Sequence, residues 1–331
     1  MKVVLAMQPG LYPRLFDAHA RQRLRTVADV DDTVLHDLST PYAHRRLADA
    51  DVLLTGWGCP PLTADVLAHA PRLRAVVHAA GSVKHHITDA VWHRGIEVSS
   101  AAAANAVPVA EFTVAVVLLA NKRVLPIAAN YRRTRTARDW DAVHPSMGNY
   151  RKRVGVVGAS RIGRRVLELL RPYDLELVLS DPYLDPAEAQ RLGVPLLALD
   201  ELVATSDVVT LHAPDLPETF HLMNADRLGL MRPGATLVNT ARGALVDTDA
   251  LTRAVLDGRV HAVLDVTTPE VLPVDSPLYD HDNVLLTPHI AGSLGTELVR
   301  MGQLAIDEIE RLANAEPLAH PVLKDQLGHT A

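Results

Sequence analysis

"RVGVVGASRIGRRV", residues 153 to 166, decides how this chain is read. The Val and Gly run that closes at Gly158 reads as a buried strand, and Ile162 onward reads as a helix. A dinucleotide-binding turn needs that strand–turn–helix order, because the helix N-terminus offers unpaired N–H groups to a pyrophosphate. Its fingerprint is G-x-G-x-x-G, and here the six positions are Gly158, Ala159, Ser160, Arg161, Ile162 and Gly163. The middle glycine, which normally lets the backbone approach the pyrophosphate, is a serine. Serine is tolerable there if its backbone sits at negative φ. Its hydroxyl could then donate to the phosphate, so we read a modified site rather than a dead one. Asp181 stands eighteen residues past Gly163, at the end of the next strand. A carboxylate there accepts from the adenosine ribose and repels a 2′-phosphate, which favours NAD over NADP.

At 331 residues the chain is long enough for two domains. A hydrophobic content of 48% with 22% charged residues is that of an ordinary soluble globular protein. The net charge of −6 and the scattered Lys and Arg argue against nucleic acid as a partner. The basic cluster "YRRTRTAR" (131–138) reads as a solvated helix face. A lone cysteine, Cys59, allows no intrachain disulfide and no metal cluster, so no metal is expected. The opening "MKVVLAMQPG" is too short for a signal peptide and reads as a strand. The longest apolar stretch, 114–120, is too short to span a bilayer. A cytoplasmic protein with no membrane partner is the expectation.

Strand-like runs occur at 2–7, 51–55, 74–79, 153–158, 176–181, 207–212, 236–241, 261–266 and 283–288. Helix-like stretches lie between them at 63–70, 162–170, 187–192 and 249–257. This alternation predicts parallel sheets with helical crossovers. The chain splits near residue 103. "NAVPVAEFTVAVVLLANKRV" (105–124) follows, with Pro108 suited to the first turn of a helix. That helix is apolar all round, so it is buried or covered by a partner, and periodicity does not choose between an interdomain core helix and a dimer interface.

Five motifs then occur in order: "NAVPVAE" (105–111), "HAPDLPETFHLMN" (212–224), "NTARGALVD" (239–247), "LDVTTPE" (264–270) and "LLTPHIAGS" (285–293). With them the chain resembles the D-isomer-specific 2-hydroxyacid dehydrogenase family over almost its full length. The resemblance implies a Rossmann-type NAD-binding domain at 104–291. It also implies a flavodoxin-like α/β substrate domain, discontinuous in sequence, at 1–103 and 292–331. Catalysis would lie in the cleft between them, and the helix after Val107 would make a homodimer contact.

Oxidising a 2-hydroxy acid requires a base for the hydroxyl proton while C2 gives up a hydride, and a base titrating near neutrality favours histidine. His289, in "TPHI", takes that role. Glu270 matches the family's glutamate, which holds the ring and stabilises its protonated form. Arg242, just past a strand, grips the substrate carboxylate with its planar fork of donors. By the same resemblance Thr240, Ala241 and Asp265 line the nicotinamide carboxamide, and His212, Ala213 and Pro214 pack its ring. Thr219 lies near the phosphates or adenosine, and Arg161 and Ile162 offer backbone N–H groups to the pyrophosphate. Thr268 replaces an acid that many members carry two places before the catalytic one.

"HAAGSVKHHITDA" (78–90) stands in place of the family's glycine-rich carboxylate loop, commonly G-V-G-V-D. Successive N–H groups there could still form an anion nest, with Gly81 and Ser82 binding substrate and Asn105 helping at the hinge. Phosphoglycerate-oxidising relatives carry a basic residue near the position of Trp57, so a phosphorylated substrate is disfavoured. Lys84, His85 and His86 argue mildly the other way, or form a solvated loop. The resemblance therefore implies an NAD-dependent oxidoreductase interconverting a D-2-hydroxy acid and its 2-keto acid, of the hydroxypyruvate- or glyoxylate-reductase kind. Formate dehydrogenase is excluded because its pattern has glutamine where Glu270 stands. The alternative is an NADH-sensing binding protein of the corepressor type.

Overall fold

Strands buried on both faces are what make the sequence read as solid aliphatic runs. The computed structural model describes residues 1–327 and arranges those runs as two separate parallel sheets. The chain divides into one unit of Met1–Asn105 with the segment from Ser293 onward, and a second of Ala106–Gly292.

The first unit carries β1 (Val3–Ala6), β2 (Val34–Leu35), β3 (Val52–Thr55), β4 (Ala75–His78) and β5 (Glu97–Ser100). Their order is β2-β1-β3-β4-β5, all parallel, which is the flavodoxin-like arrangement. β2 and β5 escape a sequence reading because one is two residues long and "EVSS" has a single aliphatic residue. Helix Leu298–Ala313 covers one face, burying Leu298, Met301, Ala305, Ile306 and Ile309 at helical spacing. Its Glu308 is buried and accepts from the N–H groups of Ala319 and His320. That turns the chain back so that the Val322 N–H reaches the Val98 carbonyl on β5. Residues 328–331, part of the expected 292–331 segment, lie outside the described residues.

The second unit carries β6 (Arg153–Val157), β7 (Glu176–Ser180), β8 (Val208–Leu211), β9 (Ala235–Asn239), β10 (Val260–Leu264) and β11 (Val284–Leu286). Their order is β11-β10-β9-β8-β6-β7, all parallel. One more parallel bridge, Leu179 to Leu196, sits beyond β7 as a vestigial strand and completes the Rossmann order on that edge. The architecture is thus a Rossmann domain plus a second, flavodoxin-like α/β domain. Strand order reverses between β6 and β8, and in open α/β sheets the crevice at such a switch point is where dinucleotides bind.

Two expectations are corrected here. The apolar helix begins at Ala102 and runs to Asn121, so Pro108 lies inside it rather than in its first turn. Proline there has no N–H for the carbonyl four residues back, and the division between the units falls close by, after Asn105. At 20 residues this helix is also long and apolar enough to cross a membrane, unlike the short stretch read from sequence. Its Ala110, Val116 and Val117 nevertheless pack in the core of the second unit. Thr113 is buried there with its hydroxyl donating to the Val109 carbonyl.

Candidate active site

The phosphate turn is built by two glycines and a cap. Gly158 has φ +97°, and a Cβ on it would come within 2.7 Å of the Ala213 nitrogen at the end of β8. A Cβ on Gly163 would lie 2.0 Å from the Gly158 carbonyl oxygen. Neither position admits a side chain. Ser160, by contrast, is extended at φ −63° and ψ 174°, where glycine is not required. Its Oγ accepts from the Gly163 N–H at 3.3 Å, making it the N-cap of helix Arg161–Leu170. The hydroxyl therefore has a capping task that the sequence did not announce, while its hydrogen remains available to donate. Arg161 and Ile162 are the first helical residues, so their N–H groups have no partner within the helix.

Asp181 follows β7 and accepts from the Ala159 N–H at 2.6 Å and the Tyr183 N–H at 2.8 Å. Each oxygen keeps a lone pair, so the carboxylate is tied to the turn and still able to accept from a ribose. Steric fit at the two glycines, an N-terminus of free donors and this acid together suit NAD.

Three of the expected cofactor residues have side chains already engaged within the protein. The His212 ring is buried, with Nε2 3.0 Å from the Thr210 hydroxyl. Burial pushes its pKa down to about 3, so it is neutral. The His212 backbone lies beside Gly158. The Thr219 hydroxyl donates to the Pro214 carbonyl at 2.7 Å and accepts from the Leu216 N–H, closing its own loop. Asp265, also buried, uses its carboxylate on the protein. It accepts from the Thr287 hydroxyl at 2.6 Å and from the N–H groups of Ile290 and Ala291 at 2.8 and 2.9 Å. Of these, only the Ala291 N–H goes to Oδ2, which keeps a lone pair.

The carboxyl ends of β9, β10 and β11 are neighbours, and they bring the chemistry-bearing residues of this unit to one edge. Asn239 ends β9 fully buried, with its amide donating to the Arg242 carbonyl at 2.9 Å and accepting from the Ala241 N–H at 3.1 Å. This bracket sets the backbone of Arg242. Sequence reading passed over Asn239, although a polar residue closing an aliphatic strand was a signal. Arg242 uses one donor on the Ala241 carbonyl at 2.7 Å and keeps the rest of its fork. Thr240 is buried with its hydroxyl 3.0 Å from that of Thr113, and Ala241 is buried beside it. A Cβ on Gly243 would lie 2.1 Å from the Thr267 carbonyl carbon, so the Arg242 loop packs directly on the loop that carries Glu270.

His289 follows β11 at φ +55°, a left-handed conformation uncommon for a non-glycine residue. Its N–H donates to the Asp265 carbonyl, and the Asp265 carboxylate holds the two residues after it. His289 Nδ1 lies 2.6 Å from Glu270 Oε1. A carboxylate only accepts, so Nδ1 carries the hydrogen and Nε2 is left for the proton transfer. The two side chains are 52% and 61% exposed. An ion pair so exposed contributes only about 0–1 kcal/mol to stability. Its geometry therefore points to chemistry.

In the first unit, Gly81 and Ser82 lie on the loop after β4. A Cβ on Gly81 would come within 3.4 Å of the Asn105 amide nitrogen, while the Asn105 oxygen accepts from the Ser293 N–H at 2.9 Å. His86 is not part of a solvated loop: it is buried, and desolvation lowers its pKa to about 4, so it cannot serve as a cation for a phosphate. Lys84 and His85 are exposed, as is Trp57.

The NAD-binding domain model of the D-isomer specific 2-hydroxyacid dehydrogenases matches residues 114–291. The chain belongs to that family. It is 36% identical over 295 residues to a D-3-phosphoglycerate dehydrogenase of Mycobacterium tuberculosis, covering 88% of this chain and 55% of that protein. A glyoxylate reductase of Thermofilum pendens is 33% identical over 267 residues, covering 79% and 78%. Among solved structures, D-lactate dehydrogenase from Aquifex aeolicus, complexed with NAD and lactic acid, superposes with a TM-score of 0.70 at 26% identity, covering 95% of this chain and 96% of that one. The chain spans about half the length of the phosphoglycerate dehydrogenases it matches.

Two outcomes follow for the cofactor turn. Ser160→Gly loses a cap but no contact surface, so its NADH affinity should stay within about tenfold, or 1.4 kcal/mol, by calorimetric titration. Ser160→Leu should abolish binding in a protein that still folds; restored binding in Ser160→Gly from a silent parent would show that serine blocks the site. NADPH should be the poorer donor, and Asp181→Ala should narrow the gap between the two cofactors in steady-state kinetics.

Proposed function

We propose that this protein is an NAD-dependent oxidoreductase that interconverts a D-2-hydroxy acid and its 2-keto acid, running as a reductase in the cell. The observation that carries the reading is the 2.6 Å contact between His289 and Glu270 on a loop anchored by Asp265. NAD, when bound, supplies the hydride acceptor or donor; the rest falls to side chains of this chain. Glu270 accepts the Nδ1 hydrogen of His289 and holds the ring with Nε2 outward. In reduction the protonated Nε2 donates to the keto oxygen, and in oxidation the neutral Nε2 takes the hydroxyl proton. Arg242 presents the remaining donors of its fork to the substrate carboxylate. We assign Gly81, Ser82 and Asn105 of the first unit to binding of a substrate carboxylate, which makes 1–105 and 293 onward the substrate domain. Glyoxylate and hydroxypyruvate lead the candidates, in keeping with the relative named glyoxylate reductase. We place the enzyme in the cytoplasm.

A homodimer is part of the proposal. From Lys122 to Tyr150 no residue is buried, although the stretch includes helices Val124–Thr134 and Trp140–Val143. An excursion with no fully buried residue recovers little of the entropy of ordering it, at about 1–2 kcal/mol per residue. A second copy of this chain would cover its Tyr131 and Val143, which are exposed. Replacing both by Asp should turn a dimer into a monomer by sedimentation; an unchanged mass would remove this surface from the interface.

NADH oxidation with glyoxylate, hydroxypyruvate, pyruvate and phenylpyruvate tests the activity. Clear NADH binding without turnover of any of them would favour the corepressor-type reading. His289→Asn should lose roughly 10²–10⁴-fold in kcat with NADH affinity nearly intact. Arg242→Lys should be almost as damaging as Arg242→Ala, because a point charge lacks the bidentate fork. Full activity in the Lys variant would refute that role.

A further inference from the structure

The histidines around the substrate loop have no part in the chemistry above. Thr55 ends β3 and His78 ends β4, and the two are register partners on adjacent strands. His86 lies at the far end of the loop that leaves β4. All three are buried, at 0%, 3% and 2% exposure. Thr55 Oγ1 lies 2.8 Å from His78 Nδ1 and 3.3 Å from His86 Nε2, with the rings 4.4 Å apart. A single hydroxyl hydrogen stands between two imidazoles. Whichever ring accepts it, the other must donate its own N–H to the oxygen, so the three groups form one matched chain. Burial disfavours the charged form of both rings, and the neighbouring His86 adds to this at His78. Both are neutral at working pH.

The cluster sits at both ends of one turn. The Ala101 N–H donates to the His78 and Ala80 carbonyls, while the His86 and Ile87 N–H groups donate to the Val83 carbonyl. The Leu62 N–H holds the His86 carbonyl at 2.8 Å. Gly81 and Ser82 lie between these anchors. His78 Nε2 is buried, and the Ser82 backbone opposes the burial effect on this ring while His86 and His85 add to it. Moving either end of the turn would strand a buried imidazole nitrogen, which is costly. Apolar side chains would fill the same volume without that constraint, so the constraint itself is what the polar cluster supplies.

We propose that Thr55, His78 and His86 are positioning residues, a neutral hydrogen-bonded clamp that sets the shape of the Gly81–Ser82 turn and through it the affinity for the substrate carboxylate. The proposal rests on the assignment of that turn to the carboxylate. None of the three touches reacting atoms, so the effect belongs in KM and not in kcat. The test is steady-state kinetics on the full chain with the best 2-keto acid of the panel, alongside NADH titration. Thr55→Val, which keeps shape and removes the hydroxyl, should raise KM at least tenfold with kcat and NADH Kd within twofold. Thr55→Ser should restore KM. Should Thr55→Val fail to fold, His86→Gln and His86→Leu replace it, because a glutamine amide keeps a donor near the hydroxyl and leucine does not. His86→Gln should hold KM, and His86→Leu should raise it. A KM within twofold of the parent in Thr55→Val or His86→Leu overturns the clamp, as does an equal loss in kcat. A parent protein that reduces no 2-keto acid overturns the proposed function, and the clamp with it.

Discussion

Three hydrogen bonds to the Asp265 carboxylate, from the Thr287 hydroxyl and the N–H groups of Ile290 and Ala291, shape the loop on which His289 stands. That loop must hold a non-glycine residue at positive φ, a conformation that costs of order 1–3 kcal/mol and persists only where its surroundings over-determine it. A buried carboxylate with fixed donors is such a surrounding, since removing it would strand two backbone N–H groups and a hydroxyl. The His289 ring then meets Glu270, whose own loop is packed against Gly243 through Thr267. Asn239 does for Arg242 what Asp265 does for His289. The candidate catalytic groups, exposed at His289 and Glu270 and half-buried at Arg242, thus stand on a buried polar framework. This is how a site can keep its geometry while remaining open to substrate.

The phosphate turn shows the same division between framework and contact. Gly158 and Gly163 are needed for packing, one against the end of β8 and the other against the turn itself. The position between them has no such neighbour requirement in the structure, and its extended backbone suits a capping side chain. Serine there contributes a cap to helix Arg161–Leu170, worth about 0.5–2 kcal/mol relative to alanine. The departure from the fingerprint therefore exchanges closeness of approach for a better-anchored helix N-terminus.

Much of the fold was legible because parallel strands buried on both faces leave solid aliphatic runs, and nine of the eleven strands among the described residues were read at nearly their final bounds. Two short ones were not, since two residues of "VL" or the mixed "EVSS" carry no period. The fold class, the Gly158–Gly163 turn and the candidates Arg242, Glu270 and His289 followed from local patterns and ordered motifs. A motif survives in the order of letters because its backbone geometry is local. What the motifs left undecided was which way each side chain turns. The side chains of His212 and Asp265 turn inward, and that of Thr219 closes on its own loop.

The chain's order of residues by itself determined the parallel architecture, the place of the dinucleotide turn and the candidates for the reactive side chains, because those depend on hydrophobic period, glycine position and side-chain chemistry. Only the tertiary structure decided that Pro108 lies within a helix begun at Ala102, that Asn239 and Asp265 carry the frame of the site, and that His78 and His86 share one buried hydroxyl. Each of these rests on partners distant in sequence, on neighbouring strands or across a loop, and on whether a polar group is left with water or without it. Burial belongs to the packed whole, and no window of the sequence contains it.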